Sequence, residues 1–309
     1  MTDFSALLTA QECVSLKLRA RFLAYGFLPY RMSKFEEYDL YAKNKDFLID
    51  SQVITFTDTD GKLLALKPDV TLSIAKNFDS ATPLQKLYYA ENVYRPTTAG
   101  GFREILQSGV ECMGQITGRE VEEVLALSCE CLSDISENFV LSVSDLGVLD
   151  ALLGALGVSA ECEDALCTCI AGKNAVEARR ICAENGVEPS LIQVLVGLIT
   201  TGVNLSDLAP LVALAKDCPT AKEAFSLLCE LSQSACLAPF SQKIRFDFSV
   251  LPNRRFYNGV VFSGYVAGAS RAVLSGGRYD KLMRRLNKNA QAIGFAVYLD
   301  RLPALERGM

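Results

Sequence analysis

Tyr94-Arg95, a loop Pro96-Thr97-Thr98-Ala99-Gly100-Gly101, then Phe102-Arg103-Glu104-Ile105-Leu106-Gln107-Ser108-Gly109-Val110-Glu111: the reading of this stretch decides the fold. Alternation over residues 86–95 and 103–113 predicts two antiparallel strands joined by a short glycine-containing loop. Side chains two apart share one face of a strand, so Arg103, Ile105, Gln107, Gly109 and Glu111 point the same way. Four of those five are polar or glycine. Such a face in the middle of an antiparallel sheet is expected to be a ligand-facing floor. Arg95 and Arg103 lie on facing strands, where planar guanidinium groups can be aimed at a carboxylate or phosphate. Taken alone, the pair also reads as ordinary surface arginines on a hairpin.

Working outward, Thr9 with Glu12 is a capping box that opens an amphipathic helix to residue 25. Residues 52–56 and 63–66 flank Asp58-Thr59-Asp60-Gly61, a hairpin turning at Asp60-Gly61. A calcium loop there fails on spacing and lacks its closing glutamate. Lys67-Pro68-Asp69-Val70-Thr71 turns into a helix to residue 77. Asp69 and Thr71 lie at its mouth, either as caps or as an amine-binding pair. Helices are expected over 118–135 and 146–156, with a strand at 139–143 between them. Residues 157–238 hold seven of the eleven cysteines and show helix-period patterning without strand signals. Strand patterning returns at 243–250, 260–267 and 271–274, followed by a bend at Gly276-Gly277 and a helix over 279–286. Last comes Ala292-Ile293-Gly294-Phe295-Ala296-Val297-Tyr298-Leu299-Asp300-Arg301-Leu302, a glycine-bearing strand running into a helix. The expected class is α+β: an antiparallel sheet flanked by helices, with a core of residues 1–156 and 239–309 and a helical insertion at 157–238.

The chain of 309 residues, half of them hydrophobic, has length for about two domains. It shows neither an N-terminal signal nor an uninterrupted apolar run of spanning length, so a soluble cytoplasmic protein with no membrane partner is expected. An odd number of cysteines without an export signal reads as buried reduced thiols rather than a disulfide framework. The absence of histidine removes Ser-His-Asp and Cys-His arrangements and leaves no regular zinc set, so no metal is expected. No phosphate loop or dinucleotide fingerprint is present. Any catalysis would rest on carboxylates, arginines or a partner's residues. A net charge of −5 offers no general attraction for nucleic acid.

Taken in order, these segments resemble histidyl-tRNA synthetase-like proteins, class II synthetases whose motifs 2 and 3 are similar to the hairpin at 94–111 and the strand at 292–302. Lys67-Pro68-Asp69-Val70-Thr71 is similar to the family's L-R-P-E-G-T. Gln107 and Glu111 match its Q-x-G-x-E, and Ser275-Gly276-Gly277-Arg278-Tyr279-Asp280 matches G-G-R-Y-D. Phe256-Tyr257-Asn258 with Val261-Phe262 resembles Y-Y-x-x-x-V-F. The resemblance covers nearly the whole chain outside 157–238. It implies a class II synthetase-like fold and a pocket for L-histidine formed by Asp69, Thr71, Arg95, Gln107, Glu111 and Tyr257.

The departures from the aminoacylating members matter as much. Pro252 stands where they carry an arginine that bears on the activated carboxylate, with Arg254 and Arg255 shifted along the chain. Thr97 replaces the acid that holds adenine, and Tyr298 replaces the glycine against which adenosine lies. An anticodon-binding domain is missing from the pattern. The insertion carries ten acidic against five basic side chains, a poor cradle for an acceptor stem. This combination resembles the regulatory subunits of ATP phosphoribosyltransferase. That resemblance implies a non-catalytic, cofactor-free chain, dimeric through its core. It also implies a short catalytic subunit as partner and a histidine-dependent response in the first step of histidine biosynthesis. The rival expectation is a shortened synthetase-like enzyme that activates an amino acid with ATP, supported by Arg95, Arg103 and Arg301.

Overall fold

Two strands of thirteen residues each, paired residue for residue, are the longest described in the computed structural model. It describes residues 8–303 apart from 49–51, 98–99, 211–212, 214–221 and 253. In chain order the strands are β1 (Leu28–Pro29), β2 (Phe35–Glu37), β3 (Thr55–Thr57), β4 (Leu63–Leu66), β5 (Leu84–Pro96) and β6 (Phe102–Gly114). They continue as β7 (Phe139–Asp145), β8 (Gly202–Asn204), β9 (Ile244–Asp247), β10 (Val260–Val266), β11 (Leu274–Arg278) and β12 (Gln291–Tyr298). The helices are α1 (Ala10–Ala24), α2 (Tyr38–Lys43), α3 (Thr71–Asn77), α4 (Gly118–Ile135) and α5 (Leu146–Leu156). Then follow α6 (Ala160–Ala171), α7 (Ala175–Glu184), α8 (Pro189–Thr200), α9 (Lys222–Ser232) and α10 (Asp280–Arg285).

Among the described residues nine strands make one sheet in the order β1-β5-β6-β12-β11-β10-β7-β9-β8, and β2-β4-β3 make a small second one. All neighbours in the large sheet are antiparallel except β1–β5 and β7–β9. The helix α4 starts on the capping box of Thr117 and Glu120, then buries Val121, Val124, Leu125 and Leu132. It sits close on β10 because Gly264 lacks a side chain: a Cβ there would meet Leu132 Cδ1 at 2.7 Å. The α1 capping box of Thr9 and Glu12 forms as its spacing predicts, and Asp58 accepts from the amides of Asp60 and Lys62 to close the β3–β4 turn.

Several expectations need correction. Strand β9 stops at Asp247, where the Asp247 carboxylate accepts from the Ser249 amide and turns the chain out of the sheet. Gly276 and Gly277 are not a bend. They lie within β11, sandwiched so tightly that a Cβ on Gly276 would be 2.4 Å from the Gly294 carbonyl oxygen. Residues 157–238 are not purely helical either: β8 pairs antiparallel with β9 and extends the large sheet. Glycine makes this possible, since the Arg245 guanidinium lies where a Cβ of Gly202 would point. Hydrophobic side chains of α6, α7 and α8 join the same buried cluster as α4 and the sheet, including Leu166, Ala178 and Leu195. After Tyr298 the chain makes one 3-10 turn (Leu299–Arg301), and the helix expected to follow falls largely outside the described residues. Cysteine burial is mixed: Cys112, Cys129, Cys131, Cys169 and Cys182 are buried, Cys236 is exposed, and the other described cysteines lie between.

Candidate functional site

The polar face of β6 opens into a cavity of about 320 Å³ lined by all six candidate residues, Asp69, Thr71, Arg95, Gln107, Glu111 and Tyr257. Register explains the convergence. Glu111 faces Gly294, Gly109 faces Ala296 and Gln107 faces Tyr298 across the β6–β12 pair. The floor is kept empty by glycine. A Cβ on Gly109 would come within 2.3 Å of the Phe295 carbonyl oxygen and 2.7 Å of the Tyr89 hydroxyl, and one on Gly294 within 2.1 Å of Glu111 Oε2.

Glu111 is the electrostatic centre, with 2% of its surface exposed. The Thr71 hydroxyl donates to its Oε1 at 2.6 Å and the Tyr279 hydroxyl to its Oε2 at 2.5 Å. Burial pushes the Glu111 carboxyl up to about 8; the two donated hydrogen bonds oppose this and the nearby Asp69 charge adds to it. Burial likewise raises the phenols of Tyr89, Tyr257 and Tyr279, which keeps them protonated as hydrogen-bond donors. The pocket thus offers a carboxyl that ionises readily only when a cation arrives to compensate it.

Asp69 does two things at once. Its Oδ1 accepts from the Leu72 amide at 2.8 Å and so caps α3, while its Oδ2 lies 3.9 Å from Arg95 Nη2. Burial raises its carboxyl, and Arg95 is the main influence acting the other way. Arg95 is itself nearly buried and donates through Nε to the Pro68 carbonyl at 3.0 Å. Gln107 is 2% exposed, and its Nε2 has no hydrogen-bond partner. A buried amide donor without a partner is costly, by about 1–3 kcal/mol, and a ligand acceptor would relieve that.

Other residues singled out by sequence go elsewhere. Arg103 is half-exposed at the outer end of the hairpin, 3.4 Å from Asp300, and does not line the cavity with Arg95. Although the two arginines are register partners, the cavity closes before the strand pair ends. The Thr97 hydroxyl donates to the Gly100 carbonyl at 2.7 Å and spends itself on the turn. Tyr298 is 6% exposed. Its hydroxyl lies 2.8 Å from Ser275 Oγ, and the Arg301 guanidinium covers its ring at 3.8 Å. Arg254 points away from the cavity into Asp150 and Glu163, at 2.6 and 2.8 Å. Tyr279 and Gly294, both essential to the position of Glu111, carried no assigned role from sequence. Each sits in a quoted segment, but their meeting with Glu111 depends on strand register. Among the described residues no group of three or more Cys, Asp or Glu side chains is disposed to hold a metal ion.

Residues 8–302 match the family model described as Histidyl-tRNA synthetase. The crystal structure of an ATP phosphoribosyltransferase regulatory subunit/histidyl-tRNA synthetase from Bacillus halodurans superposes with a TM-score of 0.83 at 26% identity, covering 98% of this chain and 80% of that one. A curated ATP phosphoribosyltransferase regulatory subunit from Caldanaerobacter subterraneus subsp. tengcongensis is 31% identical over 305 residues, covering 94% of this chain and 77% of its own. The ATP phosphoribosyl transferase (HisG:HisZ) complex from Thermotoga maritima shares the fold, with a TM-score of 0.72 at 18% identity over 94% of this chain and 98% of that one. The class defined by fold and cavity is a class II synthetase core of the histidyl type. Within it, the chain belongs to the family of ATP phosphoribosyltransferase regulatory subunits, and is not itself the catalytic subunit.

Proposed function

We propose that this chain binds L-histidine in the 320 Å³ cavity and, assembled with a separate short ATP phosphoribosyltransferase in the cytoplasm, makes that enzyme responsive to histidine. The observation that carries the reading is Glu111. It is a buried carboxyl held by Thr71 and Tyr279 and faced by the unpartnered Gln107 amide. An imidazole N–H and a cationic ammonium are donors of the size and polarity such a set accepts. Asp69, Arg95 and Tyr257 complete it, the arginine toward the ligand's carboxylate. The chain would dimerise through its synthetase-like core, and coupling to the partner's active site would be worth about 1–3 kcal/mol, as is usual for allostery. No helix among the described residues is long and apolar enough to cross a membrane.

Co-expression with a short ATP phosphoribosyltransferase, followed by size exclusion and activity assays with and without histidine, tests the assembly and the response. Separate elution of the two chains would end the reading. The rival, activation of an amino acid by ATP, draws support from Arg95 in the cavity. Against it stand Thr97 committed to its turn, Pro252 at the cavity wall, and Tyr298 under Arg301. Robust histidine-dependent pyrophosphate exchange by the purified chain would establish the rival instead.

A further inference from the structure

Residues 254–258 fasten the candidate cavity to the inserted helices, and their contacts run without a gap from Glu111 to α6. Tyr279, which donates to Glu111, packs its ring 5.6 Å from Phe256, and Phe256 lies 4.5 Å from Tyr257, which itself lines the cavity. Asn258 donates to Asp280 at 3.0 Å and accepts from the Lys281 amide, so one end of the segment is tied to α10. Lys281 Nζ also donates to the Arg254 carbonyl at 2.8 Å. At the other end the Arg254 guanidinium is fully engaged. Nε and Nη2 donate to Asp150 Oδ1 on α5 at 3.1 and 2.6 Å, Nη2 also reaches Glu163 Oε1 on α6 at 2.8 Å, and Nη1 donates to the Cys167 thiol at 2.9 Å. A guanidinium with three partners on two helices is a rigid fork rather than a loose surface pair. Two residues lie between it and Tyr257, a span of about 10 Å at most, so neither can shift far without the other.

We propose that this segment is the strap through which occupancy of the cavity is passed to the inserted helices, with Arg254 as its fastener and Cys167 as its reporter. The inference rests on the proposed histidine site. An occupant that ionises Glu111 draws on Tyr279 and Tyr257. Phe256 is wedged between those two rings, and because Asn258 ties the following residues to α10, a shift passes along the chain toward Arg254. Release or tightening of the fork changes how α6 sits against α5 and so alters the surface offered by the insertion. Cys167 is half-exposed and lies directly under the fork, which makes its accessibility a readout of the fork's state.

The test is the rate of N-ethylmaleimide labelling at each cysteine of the purified full chain, followed by peptide mass spectrometry, with and without saturating L-histidine. Calorimetry on the same samples reports binding. The strap predicts that histidine changes the Cys167 rate by about fivefold or more, the lower end of ordinary coupling, while exposed Cys236 changes little. In Arg254→Ala, histidine should still bind but Cys167 should label fast and independently of ligand. Should that variant fold poorly, Glu163→Gln, which keeps the Asp150 and Cys167 contacts, should reduce the histidine effect on Cys167 partway. Histidine binding with an unchanged Cys167 rate overturns the strap while leaving the site intact, as does an equal change at Cys236, which would indicate global tightening. No binding of histidine overturns the site reading, and the strap with it.

Discussion

Gly294 and Glu111 are register partners on adjacent strands, and the Glu111 carboxylate occupies the space a side chain on Gly294 would fill, Oε2 lying 2.1 Å from where its Cβ would stand. The glycine therefore acts as a socket for the acid, and the sheet can carry a buried carboxyl only because one strand gives up its side chain.

Gly294→Ala should displace Glu111 from the hydroxyls of Thr71 and Tyr279. Overpacking of this kind costs about 1–3 kcal/mol, read as a lower midpoint in denaturant. Histidine affinity should fall at least tenfold by calorimetry. Unchanged affinity would show that Glu111 does not hold the ligand.

The Glu111 carboxyl, held near 8 against an ordinary 4.5, makes the free protein pH-sensitive. Between those values the unfolded chain is ionised while the folded one keeps its proton. Stability is therefore greatest on the acid side of this window and falls as pH rises through it, at up to about 1.4 kcal/mol per pH unit, then levels off. Glu111→Gln should flatten this decline in urea titrations across the window.

The same acid predicts proton release on binding. Near pH 7 the free pocket holds Glu111 neutral, and a cationic ligand should ionise it. Calorimetry in buffers of different ionisation enthalpy should show release approaching one proton per histidine, with the effect absent in Glu111→Gln. Uptake of a proton instead would reverse the assignment of charge in the pocket.

Tyr298 should exclude nucleotide. ATP should give no binding heat at millimolar concentration with the natural chain, and Tyr298→Phe, which keeps the ring under Arg301, should behave the same. Tyr298→Gly should admit a purine while losing about 3 kcal/mol of stability from the emptied space. ATP binding to the natural chain would refute this role.

A control separates stability from ligand chemistry. Thr117→Ala removes one side of the α4 capping box, remote from the cavity, and should cost about 1 kcal/mol without altering histidine affinity.

The local order of this protein was legible before any coordinates. Period-2 alternation at 86–95 and 103–113, the capping box of Thr9 and Glu12, and the helices α4 and α5 follow from spacing and side-chain chemistry, because those forces act within a few residues. The six cavity residues were legible too, since Asp69, Gln107, Glu111 and their companions keep a recognisable ordered pattern. What sequence misjudged depended on partners far along the chain. Gly276 and Gly277 look like a bend until two flanking strands press on both faces. Gly202–Asn204 gives no strand signal and becomes one only because β9 offers an edge to pair with. Arg103 seems paired with Arg95 until the cavity ends short of it. The socket at Gly294, the hydroxyl of Tyr279 on Glu111 and the fork of Arg254 on α5 and α6 were decided by tertiary structure alone. Each rests on contacts within about 3 Å between residues from 87 to nearly two hundred positions apart, which strand register and helix packing establish and local propensity does not encode.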